Sequence, residues 1–143
     1  MIYCDTSLLV ASLTSEAVTA SVQEWLSAQD AGSLCVSGWV TTEFSSALAI
    51  KLRSGEFSVA QRADVLTQWR LMLRENLIVI PVPQPAYDLA ARFADRHELN
   101  IRAGDALHLA IASLAGLPLA TLDRLMAQAA NSVGVTVRDV LKA

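Results

Sequence analysis

Short apolar runs in this chain alternate with longer segments of helical period, and no two-residue glycine turn joins any two of the runs into a hairpin. Strands separated in this way pair in parallel through right-handed crossovers, which leaves few folds open. The runs cover residues 2–4, 33–37, 77–82 and 117–122, with a last short one at 135–137. Helices are expected at 6–13, 16–29, 39–52, from an N-cap at Ser58 to about 76, from Pro85 to about 97, from Arg102 to 114 with a stop at Gly116, and at 124–130. The first run comes at once, so it is expected to be the central strand.

A parallel sheet covered on both faces needs strands that are apolar on both sides. The composition agrees: 53% of residues are hydrophobic and the mean hydropathy is +0.40. A membrane span is the competing explanation. The longest stretch without Asp, Glu, Lys or Arg, residues 106–122, is 17 residues long and is broken by Gly116 and Pro118, whereas a span needs roughly 20. No basic region precedes the first apolar residues, so a cytoplasmic chain is expected. At 143 residues, 1–143 reads as a single domain without repeat, low-complexity segment or linker. Cys4 and Cys35 fall in expected strands without C-x-x-C spacing and read as reduced, buried thiols.

The net charge of −3 argues mildly against a phosphate-rich partner. That inference fails if some acids hold cations, and the acids are not all alike. Most of the 14 sit in polar surroundings or beside a base at helical spacing, such as Asp88 with Arg92. Asp5, Glu43, Asp105 and Asp123 are instead set against apolar or small residues. Asp5 and Asp123 each end an expected strand, and in a parallel sheet both then lie at its carboxyl edge, where open α/β folds place ligands. Asp105 opens a helix and reaches that edge only if a further loop turns the chain back. Each acid also has a simpler role open to it: an N-cap for Asp5 and Asp105, a turn or cap for Asp123, an ion pair for Glu43.

Carboxylates gathered at one edge repel one another unless a cation relieves them. An all-oxygen donor set selects hard ions, Mg²⁺ or Mn²⁺, which keep waters and open positions for phosphate substrates. His108 follows Asp105 at i,i+3 and reads as a packed, hydrogen-bonded histidine, since hard ions prefer oxygen.

Four segments carry a resemblance: Asp5-Thr6-Ser7 after the first strand, Thr42-Glu43 on a helix, the run from Arg102 through Asp105-Ala106-Leu107-His108-Leu109-Ala110, and Thr121-Leu122-Asp123. In order, spacing and length the chain resembles the PIN-domain family, and in particular the VapC-type toxin ribonucleases of bacterial toxin–antitoxin pairs. The resemblance implies a three-layer α/β/α sandwich around a mainly parallel sheet. It implies that Asp5, Glu43, Asp105 and Asp123 bind Mg²⁺ or Mn²⁺ and hydrolyse RNA phosphodiesters. It implies further that Thr6 and Thr121 orient carboxylates, that Arg102 contacts a phosphate, and that the chain forms a homodimer and meets a small antitoxin protein. Where many relatives carry a further Asp or Asn after the position of Asp123, this chain has Arg124, Leu125 and Met126.

Two other readings start from the same residues. A phosphoaspartyl enzyme also begins with a strand ending on Asp, but the dehalogenase-like phosphatases need a second Asp where Ser7 stands, and a receiver domain needs a lysine late in the sheet. The only lysines here are Lys51 and Lys142. A catalytically idle PIN-like module that binds RNA or protein is the second reading.

Overall fold

The computed structural model describes residues 1–141. Its elements follow in the order β1 (Ile2–Cys4), α1 (Thr6–Leu13), α2 (Thr19–Ser27), β2 (Leu34–Ser37), α3 (Gly38–Arg53), α4 (Val59–Glu75), β3 (Ile78–Ile80) and α5 (Gln84–Asp95). A 3-10 turn at His97–Leu99 leads to α6 (Ala103–Ala115), β4 (Leu119–Ala120), α7 (Arg124–Ser132) and β5 (Val137–Arg138). All strand pairs are parallel, in the order β3-β2-β1-β4-β5. β1 is therefore central, as its early position predicts.

Side chains of a strand alternate between faces, and here each face meets its own set of helices. Tyr3, Cys35 and Leu119 share a core with residues of α5, α6 and α7. Their neighbours Cys4, Val36 and Ala120 share the opposite core with α1, α2, α3 and α4. The result is a three-layer α/β/α sandwich around a parallel sheet. Phe44 and Trp69 stack at 4.4 Å between α3 and α4 and are buried there, so neither is free for a partner. Cys4 and Cys35 are buried free thiols, and burial pushes Cys35 up to about 11. Among the described residues no helix is long and apolar enough to cross a membrane.

Local chemistry set the boundaries that periodicity misplaced. The helix expected from residue 16 starts at Thr19, because the Thr19 hydroxyl accepts the Glu16 N–H at 2.9 Å and lies 2.8 Å from the carbonyls of Ala11 and Thr14, holding that stretch as a turn. The run at 117–122 pairs only at Leu119–Ala120, since the Leu122 N–H is taken by the Ser7 hydroxyl. Val135 bonds back to the Ala130 carbonyl at 2.8 Å, which delays β5 to Val137. Ser58 caps α4 in a reciprocal box with Gln61, and Gly116 closes α6 at φ +65°, both at the expected places.

Candidate active site

The strand order reverses between β1 and β4, so their following loops diverge and leave a crevice at the carboxyl edge. Asp5 follows β1 there and Asp123 follows β4. Asp5 is 2% exposed. Its Oδ1 accepts the Leu8 N–H at 3.3 Å and the Ser7 hydroxyl at 2.7 Å, and its Oδ2 accepts the Thr121 hydroxyl at 2.5 Å. Ser7 and Thr121 each accept in turn from the β4–α7 loop, Ser7 from the Leu122 N–H at 3.1 Å and Thr121 from the Asp123 N–H at 3.0 Å. Two hydroxyls thus sew the two loops together through one carboxylate. Ser7 is a part of this arrangement that the residue pattern did not single out; its position two residues after Asp5 was the available signal.

Glu43 lies on α3 and Asp105 in the first turn of α6. Glu43 Oε1 accepts the Thr6 hydroxyl at 2.6 Å and is also hydrogen-bonded to His108 Nε2. Asp105 Oδ2 accepts the Arg102 backbone N–H at 3.2 Å, and Asp123 Oδ1 caps α7 through the Met126 N–H at 3.1 Å. The 3-10 turn and Asn100, at φ +54°, form the link between α5 and α6. All four carboxylates, with Thr6, Ser7, His108 and Met126, line one cavity of about 160 Å³. Thr121 stands one bond away behind Asp5, and Arg102 is exposed and brings only its backbone to Asp105.

Burial sets the electrostatics. It pushes the Asp5 carboxyl up despite the bonds from Thr121 and Ser7. Asp105 is pushed up by burial and by the neighbouring Asp123, against the Arg102 N–H. Burial opposes ionisation of Glu43 too, but there the bond to His108, the imidazole itself and the Thr6 hydroxyl outweigh it and hold the carboxyl down. Tyr3, hydrogen-bonded to His108, is driven up by burial and stays a protonated donor.

Among the described residues no Lys or Arg pairs with Asp5, Asp105 or Asp123, so their charge is uncompensated by the protein. Nor do any three acidic, His or Cys groups among them form a ready cage for an ion. The unpaired carboxylates offer oxygen donors, which suit Mg²⁺, an ion that dehydrates reluctantly and is bound through one or two carboxylates and several waters. Zn²⁺, which wants nitrogen or sulfur, suits the site poorly.

The raised Asp5 predicts a stability effect. A folded-state pKa above the ordinary aspartate value of about 3.9 contributes stability that is complete below that value and is lost as pH rises through the folded one. Without metal, Asp5 therefore works progressively against the fold as pH rises through that folded value. Asp5→Asn is expected to raise the melting temperature in EDTA by about 3–6 °C at pH 7, with the gain gone near pH 4. Equal melting curves at pH 7 would contradict the strain assigned to Asp5.

Comparison with known proteins agrees with this layout. A PIN-domain family model matches residues 2–132. A crystal structure of FitAcB from Neisseria gonorrhoeae superposes with a TM-score of 0.71 at 19% identity, covering 98% of each chain. VapC20 of Mycobacterium tuberculosis, a toxin that cleaves the sarcin–ricin loop, gives 0.72 at 17% identity over 90% of this chain and 95% of that one. VapBC2 from Rickettsia felis, bound to a DNA fragment from its promoter, gives 0.66 at 13% identity over 96% and 98%. No curated protein sequence gives a match.

Proposed function

The chain belongs to the PIN-domain family, and on that premise we propose that it is a metal-dependent endoribonuclease, the toxin of a type II toxin–antitoxin pair. The observation that carries this reading is the set of four carboxylates around one small cavity, with no Lys or Arg among the described residues paired to Asp5, Asp105 or Asp123. Asp5, Glu43, Asp105 and Asp123 would hold Mg²⁺ or Mn²⁺. A bound ion of this kind supplies Lewis-acid charge at the phosphoryl oxygens and makes water acidic enough to attack at neutral pH.

The protein's own groups do the rest. Thr121 and Ser7 fix Asp5, and Thr6 fixes one oxygen of Glu43, so the negative field is set before substrate arrives. One of these carboxylates is suited to take the proton of the water that attacks phosphorus in line with the leaving oxygen. Ser7 bonds to Asp5 and Leu122 and is not needed as a nucleophile. Arg102, exposed at the start of α6, is placed to meet a phosphate further along the strand.

RNA as substrate and an antitoxin partner are in keeping with similar proteins, and the reading includes a homodimer. VapC20 is a toxin that cleaves the sarcin–ricin loop, and FitAB and VapBC2 are bound to DNA fragments. The purified chain is expected to cut RNA with Mg²⁺ or Mn²⁺ and to stop in EDTA. Its expression should arrest growth, with relief from the product of the neighbouring reading frame. Intact RNA in both metals together with harmless expression would favour the idle binding module.

A further inference from the structure

Behind Glu43 lies a line of polar groups that the hydrolytic reading does not use. Tyr3 on β1, Ser37 at the end of β2 and His108 on α6 are 0%, 0% and 1% exposed, and Tyr3 belongs to an otherwise apolar core. Tyr3 Oη stands 2.8 Å from Ser37 Oγ and 2.8 Å from His108 Nδ1. The other ring nitrogen of His108 bonds to Glu43 Oε1. An ionised carboxylate only accepts, so Nε2 carries the hydrogen of the bond to Glu43, while Nδ1, the Tyr3 hydroxyl and the Ser37 hydroxyl complete an unbroken line of hydrogen bonds behind it.

Buried polar groups of this kind are replaceable by apolar ones of equal volume, often without loss of stability. Stability alone therefore gives little reason for Tyr, Ser and His here. What the line does is grip one carboxylate oxygen. With Thr6 on the same Oε1, Glu43 is held from two sides, while no hydrogen bond among the described residues engages Oε2.

We infer that Ser37, Tyr3 and His108 are positioning residues: a buried relay anchored in two strands that locks the Glu43 rotamer and presents Oε2 alone to the cation. The inference rests on the metal-dependent reading above. It makes Glu43 a one-oxygen ligand whose direction is set by the sheet, not by α3 alone.

The test is Mn²⁺ affinity of the purified full chain, read by electron paramagnetic resonance of the free ion without RNA, with a melting curve for each variant. His108→Leu is expected to weaken Mn²⁺ binding by about 10- to 100-fold, and His108→Gln, which keeps an N–H donor, to recover it to within about threefold of wild type. Tyr3→Phe removes one oxygen from the relay and should fall between them. A folded His108→Leu with wild-type affinity, or a Gln variant no better than Leu, overturns the relay. Should the Leu variant not fold, unchanged affinity in Tyr3→Phe overturns it equally. Asp105→Asn separates the two readings: if it loses Mn²⁺ while the relay variants keep it, only the relay fails. If wild type binds no Mn²⁺, both fail.

Discussion

Asp105→Asn is expected to lower the single-turnover rate of RNA cleavage at saturating Mg²⁺ by about 10³-fold or more, equivalent to roughly 4 kcal/mol of transition-state stabilisation. The substitution keeps shape. An asparagine oxygen can still accept the Arg102 backbone N–H that Asp105 accepts at 3.2 Å, so the first turn of α6 should be preserved. What it removes is a charge in a cavity shared with Asp5, Glu43 and Asp123, and the one acceptor there that burial and Asp123 make more basic. Relief of the repulsion with Asp123 should leave the metal-free protein at least as stable as wild type. Lost activity with a retained melting temperature is thus the signature of a functional carboxylate. A capping residue would show the reverse, losing about 1 kcal/mol of stability and little rate. A rate within tenfold of wild type would remove Asp105 from the mechanism.

The contrast between cap and ligand was posed by the residue pattern as a choice, and for Asp5 the geometry dissolves it. One oxygen caps α1 through Leu8 while the other takes Thr121 across the crevice, so a single carboxylate does both. Alternating apolar runs were enough to give a parallel sheet, because a βαβ connection leaves little choice of direction, and the central place of β1 came separately from its early position. They could not give strand position in general. The strongest run, residues 77–82, forms β3 at the sheet edge with Val79 53% exposed, since apolar content reports strand formation and not which neighbours a strand will find. Contacts that join distant parts of the chain were the least legible. Tyr3 and His108 stand 105 positions apart, and nothing in the spacing of either residue announces the other. Arg102 meets Asp105 through its backbone N–H, a contact that its adjacency in sequence does not announce.

Gly104→Ala is expected to reduce cleavage by about 10- to 100-fold, with the helix propensity gained at 104 offset by strain at Glu43. Alanine in the first turn of a helix gains up to about 1 kcal/mol over glycine, and α6 begins at Ala103. The new methyl has no room, however: a Cβ at 104 would stand 2.9 Å from Glu43 Oε2 and 3.3 Å from Trp39 Nε1. A free glutamate tip would swing aside at little cost. This one is held through its other oxygen by Thr6 and His108, so Oε2 can move only if those bonds are bent or broken. Misplacing a reacting constellation by about 1 Å can cost 10²-fold in rate without touching the chemistry. Rate and Mn²⁺ affinity should therefore fall together, and by more than the melting temperature reports, because the helix gain at 104 offsets part of the strain at Glu43. If rate and Mn²⁺ affinity both stay at wild-type values, Glu43 Oε2 does not face the ion, and α6 approaches α3 so closely for packing against Trp39 alone.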